Sequence, residues 1–230
     1  MKISTIKALP YKIRKGECKM TCYLFVPGGK RRKEDWDQVR AILESQGRQT
    51  NAITLSDPEY SSLSNHITEV CNLIDKATLQ NVYLIGHSYA GFVITGVANK
   101  IPQKIARLIY LDSAIPENGQ SLFDVFRTVG IDPGQFGVPG WPPFTERLFF
   151  DSAVIRKIPK MYVHCLNSQF LDLTKNIPLL FSKHENDNYW DYTKTGEANW
   201  TYCELKADHY CMLNASKELA GIIQEAPPPK

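Results

Sequence analysis

The chain has 230 residues, 43% of them hydrophobic and 22% charged, with a formal net charge of +3. That length buries a substantial core and suits one domain over residues 1–230, and two full domains are not expected. The charge is too mild for a nucleic-acid surface, no apolar run reaches the roughly 18 residues needed to span a bilayer, and Met1 to Lys7 lacks the apolar stretch of an export signal. No nucleic-acid or membrane partner is expected, and the cytoplasm is the expected compartment. The six cysteines, Cys18, Cys22, Cys71, Cys165, Cys203 and Cys211, are then expected to be reduced. Cys18 and Cys22 have no second pair at zinc-ligand spacing, so neither a metal nor another cofactor is expected.

Residues 1–20 read as short edge strands broken by Pro10 and Gly16, with a basic stretch from Lys12 to Lys19. Met20 to Val26 is a better strand, apolar and closed by Pro27-Gly28-Gly29. Glycine lets a backbone approach a substrate closely, which makes the amide of Gly29, or of Gly28, a candidate donor to a developing oxyanion; the bland alternative is an ordinary strand-ending turn. Lys30-Arg31-Arg32-Lys33 follows, either a solvated loop or a positive rim that attracts an anionic substrate. Trp36 to Gln46 has helical apolar spacing (Trp36, Val39, Ile42, Leu43), Asn51 to Leu55 is a short strand, and Ser61 to Lys76 is an amphipathic helix.

The strand Asn81 to Ile85 then runs into Gly86-His87-Ser88-Tyr89-Ala90-Gly91 and a helical pattern. Strand, tight turn around a serine, and helix make a nucleophile elbow: the turn strains the serine backbone and lifts its hydroxyl above the sheet, so residues two before and two after must be small. Gly86 and Ala90 are. The amide of Tyr89, at the start of the helix, is the second oxyanion candidate. Lys104 to Asp112 is a strand with a carboxylate at its C-terminal end. Residues 113–158 interrupt the β/α alternation and carry Phe123, Phe126, Phe136, Trp141 and Phe144 among several prolines. They read as a cap with Phe123, Phe126 and Trp141 lining an apolar pocket, or else as a rigid loop sealing the core. Lys160 to Leu166 and Trp200 to Leu205 are strands, Tyr189, Trp190 and Tyr192 cluster between them, Cys211 to Ile223 is a closing helix, and the tail from Ala226 frays. Alternating β and α predicts an α/β fold with a mostly parallel central sheet flanked by helices and a small cap insertion.

A serine nucleophile needs a base. Of the five histidines, His87 sits inside the elbow, His66 in a helix, His164 in a strand and His184 in a polar stretch, whereas His209 follows the last strand on the edge where ligands of open α/β sheets bind. For the acid that orients it, Asp112 lies on that same edge and Asp172 is the alternative; Asp208 reads as a turn residue.

From Tyr23 to Ile223 the chain resembles the α/β-hydrolases of the plant methylesterase and hydroxynitrile lyase group and related bacterial esterases. The resemblance rests on Leu24-Phe25-Val26 with its glycine turn, Trp36, the Leu63 to Ile74 helix, the Gly86 to Gly91 elbow, Leu108 to Asp112, and Trp200 through His209 to Met212. It implies an ester hydrolase with Ser88, His209 and an acid. Two departures stand out: Pro27-Gly28 where the family has His-Gly, and no acid directly after the Cys165 strand, which implies the role for Asp112. The expected reaction is cleavage of a small ester or thioester with an apolar or aromatic part. Lyase or cyclase chemistry at the same residues, and ligand binding on a weakened hydrolase scaffold, are the competing readings; a homodimer stays open.

Overall fold

The computed structural model describes residues 21–174 and 200–225. The expected edge strands within residues 1–20, His184, the cluster at Tyr189, Trp190 and Tyr192, and the tail from Ala226 lie outside the described residues. Six strands, β1 (Cys22–Val26), β2 (Gln49–Ala52), β3 (Val82–His87), β4 (Ile105–Leu111), β5 (Lys160–Cys165) and β6 (Trp200–Leu205), form one sheet in the order β2-β1-β3-β4-β5-β6. Every pairing is parallel. Parallel neighbours need long crossovers, and the helices that supply them cover both faces, which is why β1, β3 and β4 are almost continuously apolar. Alternate side chains feed two cores. Leu24, Val26, Leu84 and Leu108 pack with α2 (Leu63–Lys76), α3 (Ala90–Lys100) and the segment after β4. Phe25, Ile85, Ile109 and Val163 pack on the other side with Trp36, α1 (Asp37–Ser45) and the C-terminal helices.

The register sets the position of the site. Val26 pairs with Gly86, His87 with Leu111, and Cys165 with Leu205, so the loops that follow β1, β3, β4, β5 and β6 emerge along one edge. Residues 113–158 contain three short helices, α4 (Leu122–Thr128), α5 (Pro142–Thr145) and α6 (Ser152–Lys157). The segment is tied to α2 through Glu146, whose carboxylate accepts from the Leu63 amide at 2.8 Å and the Ser64 amide at 3.4 Å. These are first-turn N–H groups with no partner inside the helix, and Ser62 covers another by accepting from the Asn65 amide at 3.0 Å.

Most boundaries shift by one or two residues from the sequence reading, and two elements differ more. The strand expected over Asn51 to Leu55 is Gln49–Ala52: pairing with β1 stops at Ala52, and Ile53 gives one last bond to the Phe25 carbonyl before the chain departs. The closing helix is two, α8 (Cys211–Asn214) and α9 (Ser216–Gln224), with α7 (Leu171–Thr174) preceding β6. Ala215 leaves helical geometry at φ −140° and ψ 36°, without glycine or proline to announce it. Among the described residues no helix is long and apolar enough to cross a membrane.

Lys160, at the start of β5, is a buried cation. Its ammonium donates to the Ile158 carbonyl at 2.6 Å and lies 5.6 Å from the Trp200 ring centroid, and burial pushes its pKa down to about 7. The unfolded chain keeps that proton to about 10.4, so it binds more protons than the folded chain between those values, and the stability contribution rises as pH increases through that window. Urea midpoints from pH about 7 to about 9 should therefore rise less in Lys160→Met than in the wild type; identical pH dependence in the two would contradict the assignment.

Candidate active site

Ser88 follows β3 with φ 58°, in the left-handed region that costs a side-chain-bearing residue roughly 1–3 kcal/mol. Its surroundings hold it there. The Ser88 amide donates to the Leu111 carbonyl at 3.1 Å, and the Ser88 carbonyl accepts the Ser113 hydroxyl, while the Ser113 carbonyl accepts from the buried Tyr162 hydroxyl at 2.9 Å. Close packing demands small residues around the turn: a Cβ on Gly86 would lie 2.7 Å from the Ala90 carbonyl oxygen, and one on Gly91 would lie 2.1 Å from Ser113 Oγ.

Asp112 directly follows β4, also with positive φ, 41°, and is buried. Its amide donates to the Val163 carbonyl at 2.8 Å, which fixes its backbone to β5. Its carboxylate accepts from His209 Nδ1–H at 2.6 Å, from the Ser168 hydroxyl at 2.5 Å and from the Cys165 amide at 3.4 Å. A buried carboxylate is costly unless its lone pairs are occupied, and these three donors occupy them. The bond through Nδ1 leaves Nε2 as the ring nitrogen of His209 able to exchange a proton. His209 is itself braced. Asp208 Oδ1 accepts from the Tyr210 amide at 2.7 Å and from Asn214 Nδ2 at 2.6 Å, which stiffens the loop. Below it, His87 donates from Nε2–H to the His209 carbonyl at 2.7 Å, the two rings 4.4 Å apart. Burial, with His209 alongside, holds His87 well below the usual histidine range, so it is neutral.

Ser88, Asp112 and His209 line one cavity of about 590 Å³ together with Gly28, Gly29 and Tyr89. Gly28 approaches closely: a Cβ there would lie 3.0 Å from that of Ser88. Neither the Tyr89 nor the Gly29 amide donates to a protein group among the described residues. The Tyr89 ring is anchored away from the cavity floor. Its hydroxyl donates to His66 Nδ1 at 3.1 Å, since His66 Nε2–H is already given to the Ser56 carbonyl at 3.0 Å, and Phe144 packs against it edge-on. Burial raises the Tyr89 pKa and lowers that of His66, so both are neutral.

Of the three aromatic residues read from the sequence as pocket lining, Phe126 and Trp141 line the cavity and Phe123 does not. On α4, Leu122, Val125, Phe126 and Val129 share the inward face, and Phe123 is turned off it, 5.8 Å from the Arg127 guanidinium. Phe136, Phe144, Phe170 and Tyr210 add to the aromatic wall, with the Phe170 ring 4.4 Å from that of His209. His164 lies apart, bonded to Tyr202 and Thr174. The side chain of Asp172 lies outside the described residues. The sequence reading gives no role to Ser168, Ser113 or the side chain of His87. Ser168 carries a signal, a hydroxyl residue in the loop after β5 where the family has a carboxylate.

Residues 23–221 match the alpha/beta hydrolase family. The chain belongs to that family. Among curated proteins, the carbendazim hydrolyzing esterase of Nocardioides sp. (strain SG-4G) is 50% identical over 64 residues, 28% of this chain and 26% of that protein. Putative methylesterase 11, chloroplastic, of Arabidopsis thaliana is 28% identical over 113 residues, 45% of this chain and 29% of that protein. The matched stretches thus span less than a third of the length of these relatives. Among solved structures, an extracellular alpha/beta-hydrolase from a Paenibacillus species superposes with TM-score 0.63 at 18% identity, over 90% of this chain and 98% of that one. A methylesterase from Arabidopsis gives 0.65 at 15%, over 90% and 98%. At such identities the likeness establishes the fold.

The packing around the elbow of this alpha/beta hydrolase sets a stability contrast. Gly91→Ala should lower the unfolding free energy in urea by about 2 kcal/mol or more, because its methyl meets Ser113 and the Ala114 carbonyl. Gly221→Ala, in α9 with nothing near the added methyl, should raise it by about 0.5–1 kcal/mol. Equal effects at the two sites would mean that the elbow is not close-packed.

Proposed function

We propose that the protein is a serine hydrolase that cleaves small carboxylic esters or thioesters with an apolar or aromatic part through an acyl-enzyme. The observation that carries this reading is the meeting of a strained Ser88 and a buried Asp112–His209 pair in one largely apolar cavity. Ser88 Oγ attacks the ester carbonyl while His209 Nε2 takes its proton. Asp112, bonded to Nδ1, orients the ring and stabilises the imidazolium. The oxyanion is held by the amides of Tyr89 and Gly29, which are unspent on other protein groups among the described residues. The protonated His209 then gives its proton to the departing alcohol or thiol, and water, deprotonated by His209, hydrolyses the acyl-enzyme. Residues 113–158 act as a cap, with Phe126, Trp141 and Phe144 receiving the apolar part of the substrate. The printed names of the relatives, which include a carbendazim hydrolyzing esterase and methylesterases, favour the same chemistry.

Intact-protein mass spectrometry after treatment with a fluorophosphonate should give one adduct, absent in Ser88→Ala, with para-nitrophenyl acetate turnover followed in parallel. Loss of Ser88 or of His209 should lower kcat by roughly a thousandfold or more, and Asp112→Asn by a factor of the same order, without loss of folding. Folded wild type that takes no label and turns over no ester would overturn the reading.

A further inference from the structure

The loop that carries Gly28 and Gly29 continues into Lys30, whose backbone is the third site on this edge to hold a side chain at positive φ, 55°. Lysine gains nothing locally from that conformation, and glycine, the residue used at the two preceding positions, would adopt it freely. The strained backbone directs the Lys30 side chain along the cavity wall, where its ammonium lies 4.0 Å from the centroid of the Trp141 ring. Lys30 is exposed at the mouth, and among the described residues no carboxylate pairs with it. Arg31, which also lines the cavity, is already engaged: its Nε lies 2.9 Å from Asp35 and its guanidinium 4.9 Å from the Tyr210 ring centroid. Two carboxylates lie on the lining. Asp112 is bonded to His209, and Glu117 accepts from Gln120 at 3.4 Å.

We propose that Lys30 is a specificity residue for anionic esters, substrates that carry a carboxylate on the apolar part remote from the scissile bond. An aromatic spacer would lie against Trp141 and Phe144 and bring such a carboxylate to the Lys30 ammonium at the mouth. Contact with the Trp141 ring fixes the position of the ammonium at the mouth, and its charge steers the approach of an anionic substrate. The inference rests on the esterase reading above.

The test compares methyl para-carboxyphenylacetate with methyl para-methylphenylacetate, whose para substituents cannot reach the ester group themselves. Wild type should favour the anionic ester in kcat/KM, and this ratio should fall roughly fivefold in Lys30→Gln, be largely retained in Lys30→Arg and shrink in the wild type as salt is raised. An unchanged ratio in Lys30→Gln would overturn the proposal. So would an equal fall for both esters, which would make Lys30 a latch on Trp141 and no more. If wild type hydrolyses neither ester, the esterase reading is judged by the fluorophosphonate label and not by these two substrates. Calorimetric titration with the diacid product then decides the anion site: weaker binding by Lys30→Gln supports it, and equal binding rejects it.

Discussion

The left-handed backbone at Ser88 is the constraint on which the rest of the site depends. Holding a serine there costs free energy that local sequence cannot recover, and the compensation comes from neighbours in space: the Leu111 carbonyl on β4, the Ser113 hydroxyl behind it and the Tyr162 hydroxyl behind that. The same turn starts α3, so the amides at its mouth are left without intrahelical partners. Strain at the serine and unsatisfied amides beside it come from one geometric decision, the abrupt passage from β3 to α3.

Asp112 shows how the sheet distributes that strain. It is a second residue forced to positive φ at a strand end, buried where the chain leaves β4 between β3 and β5. The isolated charge would be costly in that position. Three donors answer it, the last amide of β5 and two side chains from the loops after β5 and β6, one of them the ring nitrogen of His209. The carboxylate thus closes the edge of the sheet, linking β4 to the loops after β5 and β6. His87, the residue before the nucleophile, binds the His209 carbonyl from below, so the elbow and the histidine loop are positioned together.

Much of this was legible in the chain. Short apolar runs identify the six strands, period-3.6 spacing identifies α1, α2 and α3, and small residues flanking Ser88 identify the elbow, because these patterns are local consequences of backbone geometry. What local pattern cannot convey is which way a side chain on a short, mostly buried helix turns. Phe123 and Phe126 look equivalent in sequence, yet the roll of α4 against the cavity places one inside and the other against Arg127. The break at Ala215 is hidden as well: no breaker residue marks it, and the neighbouring Asn214 is bonded to Asp208 in the histidine loop.

The sequence by itself determined the alternation of β and α, and with it a parallel sheet whose loops gather the candidate residues on one edge, since strands joined by helical crossovers all point the same way. It also determined the small residues that a serine turn requires. Tertiary structure decided the partners. That Asp112 meets His209, that Ser168 supplies a hydroxyl in place of a carboxylate, and that Lys30 lies along Trp141 depend on contacts between residues far apart in the chain. Register, helix roll and loop packing set such contacts, and none of these leaves a periodic signal in the chain.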